Sequence, residues 1–376
     1  MNSPTQNHLW KLLFILLLCG FSAYSQKFDL TEKIPVDPNV KIGTLENGLT
    51  YYIRKNAKPE NRAELRLFVN IGAVNEDDDQ LGLAHFVEHM CFNGTKHFEE
   101  NELIHYLQSI GMKMGPDING FTSFDETVYM ITVPTDDMEV FDKGLLIMED
   151  WAHNVTFDHG EIDKERGIVI EEWRLGRGAG QRMSDQYLPV LFKDSHYAKR
   201  LPIGKKEIVE SASYETVKRF YNDWYRPELM AFAVVGDVDL AETEKKIKEH
   251  FGRIEKKDEP REKKIYDIPD HKESLVSVVS DKENPYTQVV MIYKHNLEKQ
   301  KNLGDLRKQL LVEMFTGMLN QRINELREKA DPPFIQGGTY YGQLWARNKS
   351  AYQSYVLVKE DGIEKGLQTL IEENER

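Results

Sequence analysis

The sequence contains very little cysteine. Only Cys19 and Cys91 occur among its 376 residues, and Cys19 lies in an N-terminal apolar segment that we predict to be removed. The remaining chain then has a single cysteine, which excludes an intrachain disulfide. A secreted or cell-envelope location is still compatible with this count, because a chain of this length can bury a sufficient core without covalent cross-links.

The sequence also lacks an excess of basic residues and a long apolar run. It has 49 Lys and Arg residues against 62 Asp and Glu residues, a formal net charge of -13. We therefore expect no nucleic-acid partner, since phosphate binding requires a basic surface. The apolar stretch from Trp10 to Phe21 is too short for a stable membrane span, so we expect no such span.

The N-terminus instead has the pattern of a secretory signal peptide. An apolar stretch follows Lys11, and the small-x-small pattern Ala23-Tyr24-Ser25 precedes the next residue. We predict that residues 1–25 are a cleaved signal peptide and that the mature protein is secreted or periplasmic. Their removal takes away one positive charge, that of Lys11, and changes the net charge from -13 to -14.

The apolar patterns predict an α+β protein built from two homologous units, each a mostly antiparallel sheet packed against helices. We expect the first unit at residues 26–254, a charged linker at 255–265 and the second unit at 266–376. The repeat is visible in the letters, since Lys143-Gly-Leu recurs as Lys365-Gly-Leu at an offset of 222 residues. By this offset the second unit lacks about a hundred residues of the first, so we expect the chain to be the N-terminal part of a longer protein.

Local patterns predict the individual elements. In the first unit we expect a hairpin at 41–54, strands at 63–71, 127–133 and 231–235, a helix capped by Thr135, and a helix from Ile162 to about Leu175 opened by a capping box of Asp158 and Glu161. In the second unit we expect strands at 275–279, 289–293 and 354–358, and a long helix at about 303–327.

The most informative motif is His85-x-x-Glu88-His89. Glycine does not interrupt the segment between Gly82 and Gly94, so a helix is predicted there, with both histidines one turn apart on one face. Glu88 lies on the flank of that face, where it can reach a metal-bound water without being a ligand. The order His-x-x-Glu-His is the inverted form of a zinc-peptidase motif. The alternative is a chance pair of surface histidines, with odds of roughly a few per cent in a chain with 11 histidines.

A third ligand is expected farther along the chain, because catalytic zinc sites usually have three protein ligands and a water. Glu165 and Glu172 are seven residues apart and share one helix face, whereas Glu171 points away from it. Two acidic residues on one helix face are more often solvent-exposed than part of a binding site. Here the apolar run from Gly167 to Ile170 indicates a buried helix, in which unpaired carboxylates are costly. A metal and two histidines would give these carboxylates a role.

Together with other segments, this motif resembles the pitrilysin, or insulinase-type, zinc peptidases of the secreted bacterial branch. The similarity extends from about Val40 to the end of the chain and is most specific in the first unit. The segments that carry it are His85-x-x-Glu88-His89, Glu165-Arg-Gly-Ile-Val-Ile-Glu-Glu172, Gly111 to Tyr129 (with Asn119-Gly-Phe-Thr122-Ser-Phe-Asp125-Glu-Thr127-Val-Tyr129), Trp224-Tyr225-Arg226-Pro227 and Val235-Gly236-Asp237.

The resemblance implies a role for each matching residue of the metal site. His85, His89 and Glu172 would bind one zinc ion per chain, and Glu88 would act as general base. Glu165 would be a carboxylate that supports the ligands from behind. Zinc lowers the pKa of a bound water to about 7 and polarises a peptide carbonyl, so this set of residues suits peptide hydrolysis.

The resemblance also implies a substrate strand. The segment from Asn119 to Val133 resembles the family's edge strand, to which an extended peptide adds as a further strand. The expected contact residues are Asn119, Gly120, Phe121 and Thr122, although the family more often has alanine at the position of Gly120. We also expect the strand near 127–133 to pair with the substrate backbone, so that extended peptides are cut and compact proteins are spared.

Three functions remain open from the sequence. The leading one is a zinc-dependent endopeptidase acting on peptides or unstructured segments. The second is a non-catalytic or half-enzyme subunit of the same fold that needs a partner half, although such a subunit has no need of Glu88. The third is a zinc protein with other chemistry. Because the resembled family closes two halves around its substrate, we expect turnover to be weak without a C-terminal half, on a longer chain or on a partner.

Overall fold

The computed structural model describes residues 28–99, 102–359 and 361–376. The predicted signal peptide lies outside the described residues. The chain forms two compact units. One contains the described residues 28–35 together with Glu298–Phe315, and the other contains the described residues of Val36–Leu297 and Thr316–Arg376. The described residues include no helix that is long and apolar enough to cross a membrane.

The larger of two sheets has six strands in the order β1-β2-β6-β3-β5-β4. Its neighbouring strands are antiparallel except for β2 and β6, which are parallel. The predicted strands of the first unit are all present. The strands are Val40–Thr44 (β1), Thr50–Lys55 (β2), Arg62–Val69 (β3), Ile118–Thr122 (β4), Thr127–Pro134 (β5) and Met230–Gly236 (β6).

Helices cover this sheet and surround the histidine motif. They are Leu83–Met90 (α1), Glu102–Ser109 (α2), Met138–His153 (α3), His159–Leu175 (α4), Ala179–Leu191 (α5), Lys206–Ser211 (α6), Tyr214–Trp224 (α7) and Leu240–Phe251 (α8). Helix α3 packs on β3 and β5, and α8 packs on β2. Helix α1, which carries the motif, packs on β4 and β5 and is flanked by α4 and α7. The motif is therefore held by a sheet on one side and by two helices.

The smaller sheet has three antiparallel strands in the order β7-β9-β8. Its elements are Thr287–Asn296 (β7), Leu303–Arg327 (α9), Gln336–Gln343 (β8), Lys349–Val358 (β9) and Ile363–Glu375 (α10). Leu319 and Ile323 of α9 and Leu370 of α10 share an apolar core with the end of β9. Together the two sheets confirm the α+β fold class. The division at residues 254 and 265 stays a prediction.

The two glycines of the recurring Lys-Gly-Leu sequence occupy equivalent places. A Cβ on Gly144 of α3 would lie 2.9 Å from Cγ1 of Val133 in β5, and one on Gly366 of α10 would lie 2.5 Å from Cγ1 of Val358 in β9. In both sheets, the helix that follows a strand packs its glycine against the end of that strand. The recurrence thus has a packing reason, because a side chain at either position would push the helix off the sheet.

The predicted cap of α3 is wrong. Asp137, not Thr135, is the N-cap residue, and its carboxylate accepts hydrogen bonds from the backbone N–H groups of Glu139 and Val140. Thr135 still donates its backbone N–H to the carbonyl oxygen of Asn61, 3.0 Å away. Because that hydrogen bond holds the chain beside the sheet, the helix begins two residues later than the sequence pattern indicates.

The predicted strand at 275–279 is also wrong, and strand β8 was not predicted. Val276 and Val278 are exposed, and the segment pairs with no strand of the described chain. Strand β8 contains Gly337, Gly338 and Gly342, which are unfavourable in strands on local propensity. Strand pairing, rather than local propensity, decides both cases.

A buried carboxylate joins α3 to α8. Glu149 lies 2.7 Å from Nδ1 of His250, 3.6 Å from Nε2 of His153 and 3.5 Å from Nε of Arg253. Burial by itself raises the pKa of Glu149, but the hydrogen bonds and charges of these three partners outweigh it and lower that pKa to about 2. The ionised carboxylate therefore stabilises the fold.

We predict that Glu149→Gln lowers the free energy of unfolding by about 2 kcal/mol at pH 7, the loss expected for hydrogen bonds to a charged group. Because the folded pKa lies below the ordinary 4.5, the contribution is complete above pH 4.5 and is lost as the pH falls towards 2. The difference between variant and wild type in urea melts should shrink over that window. Glu249→Gln, at an exposed carboxylate of α8, is the control, and an equal effect there would contradict the prediction.

Candidate metal centre and substrate edge

A buried acid caps the helix that carries the motif. Gly82, the N-cap of α1, has φ of 99°, a left-handed conformation that favours glycine. Oε1 of Glu76 accepts hydrogen bonds from the backbone N–H groups of Gly82 and Ala84, at 3.0 and 2.9 Å. Burial raises the pKa of Glu76 to about 8, against the opposing effect of these bonds. The cap therefore rests on hydrogen bonding more than on a full negative charge.

The structure brings the three predicted ligands together. Nε2 of His89 lies 3.2 Å from Nε2 of His85 and 3.3 Å from Oε2 of Glu172, and Nε2 of His85 lies 3.7 Å from Oε1 of Glu172. Among the described residues, this is the group of His, Cys, Asp or Glu side chains with ligand atoms close enough to hold a metal ion, all within 4.8 Å of one another. Two imidazole nitrogens and a carboxylate converging on one point form the donor set that zinc takes.

The electrostatics of the cluster also suit a cation. Burial and the neighbouring His89 lower the pKa of His85 to about 3, so its imidazole is neutral and available as a ligand. Burial also lowers the pKa of His89, but the hydrogen bond and charge of Glu165, with the charges of Glu88 and Glu172, outweigh it and raise that pKa. The carboxylates thus create a negative potential at the point where the ligand atoms meet.

Glu165 supports His89 from the side away from the ligand cluster. Its Oε1 lies 2.7 Å from Nδ1 of His89, and the amide of Asn93 donates to its Oε2. A proton on Nδ1 leaves the Nε2 lone pair of His89 directed at the cluster. Asn93 was not identified from the sequence as part of the site. Its position four residues after His89 was the available signal.

Helix α4 is less buried than the sequence indicated. Asp158 caps it as predicted, but the side chain of Glu161 pairs with Lys164, so the expected capping box is incomplete. Glu165 is only 5% exposed, whereas Ile168 is 55% exposed and the Glu172 side chain is 50% exposed. One narrow stripe of the helix is buried, and Glu172 lies at its solvent end. Glu171 is exposed and bonds to Arg174, so the predicted helix phase agrees with the structure.

Glu88 is buried, 6% exposed, and its carboxylate faces strand β4. The hydroxyl of Thr122 donates a 2.7 Å hydrogen bond to Oε2 of Glu88. A Cβ at Gly120 would lie 2.7 Å from Oε1, so the glycine leaves room for the carboxylate. Burial raises the pKa of Glu88, while the Thr122 hydrogen bond opposes this shift. A carboxyl group held in this way is suited to proton transfer.

Strand β4, rather than β5, is the edge of the sheet. Strand β5 pairs with β3 on one side and with β4 on the other, so the expectation that residues 127–133 receive a substrate strand is wrong. Apart from an isolated bridge between Met114 and Ile118, no described strand pairs with the outer side of β4. This outer side is the available backbone edge beside Glu88.

Hydrogen-bond alternation shows which groups of β4 face outwards. Residues 123 and 126, and residues 117 and 132, are hydrogen-bonded partners, so by alternation Gly120 and Thr122 direct their backbone groups away from β5. The Gly120 N–H is accepted by Oδ1 of Asn119, at 2.9 Å. Asn119 and Phe121 are exposed, on the face opposite Glu88. Of the four predicted contact residues, Gly120 and Thr122 therefore face Glu88, whereas Asn119 and Phe121 do not.

Comparison with known proteins gives consistent matches. The family model described as Insulinase (Peptidase family M16) matches residues 51–177, and that of the Peptidase M16 inactive domain matches residues 211–331. A protein of Arabidopsis thaliana named "Zinc protease PQQL-like" is 37% identical over 294 residues, which cover 78% of this chain and 31% of the relative. "Probable zinc protease PqqL" of Haemophilus influenzae is 32% identical over 347 residues, 92% of this chain and 38% of the relative.

Solved structures agree with these matches. The crystal structure of the first half of the periplasmic protease PqqL from Escherichia coli superposes with a TM-score of 0.82 at 29% identity, covering 91% of this chain and 73% of that one. Pitrilysin, at 18% identity and a TM-score of 0.68, shares the fold. The chain spans 31 to 38% of the length of the first curated relatives it matches.

We predict that the purified protein holds one zinc ion per chain and that His85→Ala, His89→Ala and Glu172→Gln each lower this content, because each removes one of three donors. Elemental analysis after dialysis measures it. Glu171→Gln, on the same helix turn but directed at Arg174, is the matched control. Loss of zinc in the Glu171 variant, with retention in the Glu172 variant, would contradict the ligand assignment.

Proposed function

Because the chain belongs to the insulinase family of peptidases, peptidase family M16, we propose that it is a zinc-dependent endopeptidase that hydrolyses peptides or unstructured segments. One observation carries the proposal. The carboxylate of Glu88 lies between a convergent donor set of two histidines and a glutamate and the free edge of a β-sheet. A base, a metal site and a peptide-binding edge are thus adjacent.

The zinc site would be held by this chain alone. His85 and His89 would bind through Nε2 and Glu172 through its carboxylate, which leaves a coordination position for water or substrate, as catalytic zinc sites require. When bound, zinc supplies Lewis acidity and lowers the pKa of a water to about 7. Glu165 and Asn93 would keep the His89 ring oriented.

Glu88 performs the proton transfers in this proposal. Its carboxylate accepts a proton from the attacking water and then delivers it to the nitrogen of the leaving amine. The hydroxyl of Thr122 fixes the orientation of the carboxylate through Oε2, which leaves Oε1 for the water. Gly120 keeps the space beside Oε1 open. Because Glu88 is only 6% exposed, its hydrogen bond from Thr122 is electrostatically stronger than it would be in bulk water.

Substrate binding is proposed along the outer side of β4. An extended peptide laid there would exchange backbone hydrogen bonds with Gly120 and Thr122 and would bring its scissile carbonyl towards Glu88. It would also displace the Asn119 oxygen from the Gly120 N–H. A compact protein cannot present an unpaired backbone in this way, so the edge selects for extended chains.

We further propose a secreted or periplasmic location and a need for a C-terminal half. The location is supported by the N-terminal signal pattern and by the similarity to a periplasmic protease. The need for a second half is supported by the match to a solved first half of a longer relative. The alternative function is a non-catalytic or half-enzyme subunit of the same fold. Such a subunit has no need of Glu88.

We predict that Glu88→Gln lowers peptide turnover by roughly a hundred- to ten-thousand-fold without lowering zinc content. The amide keeps an acceptor for Thr122 but cannot take a proton from water. Turnover of a quenched fluorescent peptide and elemental analysis give the two readouts, with a chelator-treated wild type as the reference for metal loss. Full activity in this variant would refute the assigned base and favour the alternative chemistries.

We also predict that an extended peptide is cleaved, and that the same sequence within a rigid disulfide-bonded protein is not, because only the former can pair with β4. N-methylation of the peptide amides that face β4 should raise KM, since it removes donors from the new ladder. Mass spectrometry of the products measures cleavage. Efficient cleavage of the rigid protein would exclude this binding mode. So would an unchanged KM for two peptides, one methylated at the odd and the other at the even residues.

A further inference from the structure

The smaller sheet reaches the hairpin that carries the candidate substrate edge. The turn between β4 and β5, residues 123–126, lies against the turn between β8 and β9, residues 344–348. Phe124 of the first turn and Leu344 and Ala346 of the second are buried in one apolar cluster, which also contains Phe192 and Tyr197. The two turns therefore share a core, although their sheets are separate.

Arg347 makes the polar part of this contact. Its backbone N–H donates to Oδ2 of Asp125 at 2.9 Å, and its Nη2 donates to the carbonyl oxygen of Asp125 at 2.9 Å and to Oε2 of Glu126 at 3.2 Å. Its Nη1 donates to Oδ1 of Asn70, the residue that follows β3. One guanidinium thus joins the hairpin turn to the end of a neighbouring strand, a geometry that needs the planar fork of arginine.

The hairpin turn is also held by groups that lie outside the smaller sheet. Ser123 and Phe124 accept backbone hydrogen bonds from Ala73 and Val74, and the hydroxyl of Tyr197 donates to the Asp125 carboxylate at 2.8 Å. Arg347 adds a cation to this turn, with Nη2 lying 3.2 Å from Oε2 of Glu126. The ammonium of Lys263 lies nearby and donates to the same Asn70 oxygen as Arg347.

The turn leads directly to the candidate base. Thr122, the last residue of β4, donates to Glu88, and its backbone faces the free edge beside Gly120. A shift of the turn therefore moves both the hydrogen bond to the base and the strand that receives the peptide. We propose that Arg347 is a positioning residue for this hairpin, through which the smaller sheet sets the substrate edge. This inference rests on the proposed function.

The test compares Arg347→Ala with Arg182→Ala in the full chain. Arg182 is the matched control because it also forms ion pairs with residues far along the chain, Asp281 and Glu283, and contacts no residue of the hairpin turn in these pairs. Hydrogen exchange of the amides at 118–127 is the first readout. We expect exchange to be roughly tenfold faster in Arg347→Ala, from the loss of hydrogen bonds to the turn, and unchanged in Arg182→Ala. Zinc content should stay unchanged in both.

The second readout is peptide turnover, with a C-terminal half added if turnover requires it. For Arg347→Ala we expect kcat/KM to fall by roughly ten- to a hundredfold for a long extended peptide, and by much less for a short one that spans only the scissile bond. A general loss of stability would lower both equally. If Arg347→Ala does not fold, Arg347→Lys serves, since lysine lacks the planar fork whose separate nitrogens reach Asn70 and the Asp125 carbonyl.

The outcomes distinguish a failure of the role of Arg347 from a failure of the proposed function. Unchanged exchange at 118–127 in Arg347→Ala, an equal effect in Arg182→Ala, or equal losses for long and short peptides would overturn the role of Arg347. Absence of peptide turnover in the zinc-loaded wild type would instead overturn the proposed function. The exchange measurement would still show whether Arg347 holds the hairpin.

Discussion

The burial of carboxylates around one short helix constrains the rest of this structure. Glu76, Glu88 and Glu165 are all buried within reach of α1, and an unpaired buried carboxylate costs several kcal/mol. Each one is matched by donors from a different part of the chain. Glu76 receives the backbone N–H groups at the helix start, Glu88 receives Thr122, and Glu165 receives His89 and Asn93. Each of the three carboxylates therefore accepts at least one hydrogen bond, although Oε2 of Glu76 has no hydrogen-bond partner among the described residues, and burial raises the pKa of this group to about 8.

The helical part of the site could be predicted from the sequence because its geometry is local. Residues three, four and seven apart on a helix share a face regardless of what surrounds them, so the phases of His85, His89 and Glu172 follow from spacing. The degree of burial does not follow in the same way. The run from Gly167 to Ile170 indicated a buried helix, whereas only one stripe of α4 is covered, because burial depends on which neighbours pack against it.

The sheet part of the site could be predicted only in outline. Strands β4 and β5 are adjacent in sequence, and nothing local shows which of them is an interior strand and which is an edge. The distinction depends on the pairing of β5 with β3, some sixty residues earlier in the chain. The same dependence explains residues 275–279, which are rich in β-branched residues but pair with no strand of the described chain. It also explains β8, which pairs with β9 although its glycines have low strand propensity.

The candidate metal ligands and the candidate substrate edge lie on different elements. The candidate ligands lie on α1 and α4, which pack on each other, whereas the edge strand is fixed at its turn by Arg347 of the smaller sheet. The candidate ligands among the described residues all lie outside the smaller sheet, and the contact of that sheet with the candidate site is the one made at the β4–β5 turn. The glycine packing of Gly144 on β5 and of Gly366 on β9 is the local feature that the two sheets have in common, because in each case a side chain would push the following helix off its strand.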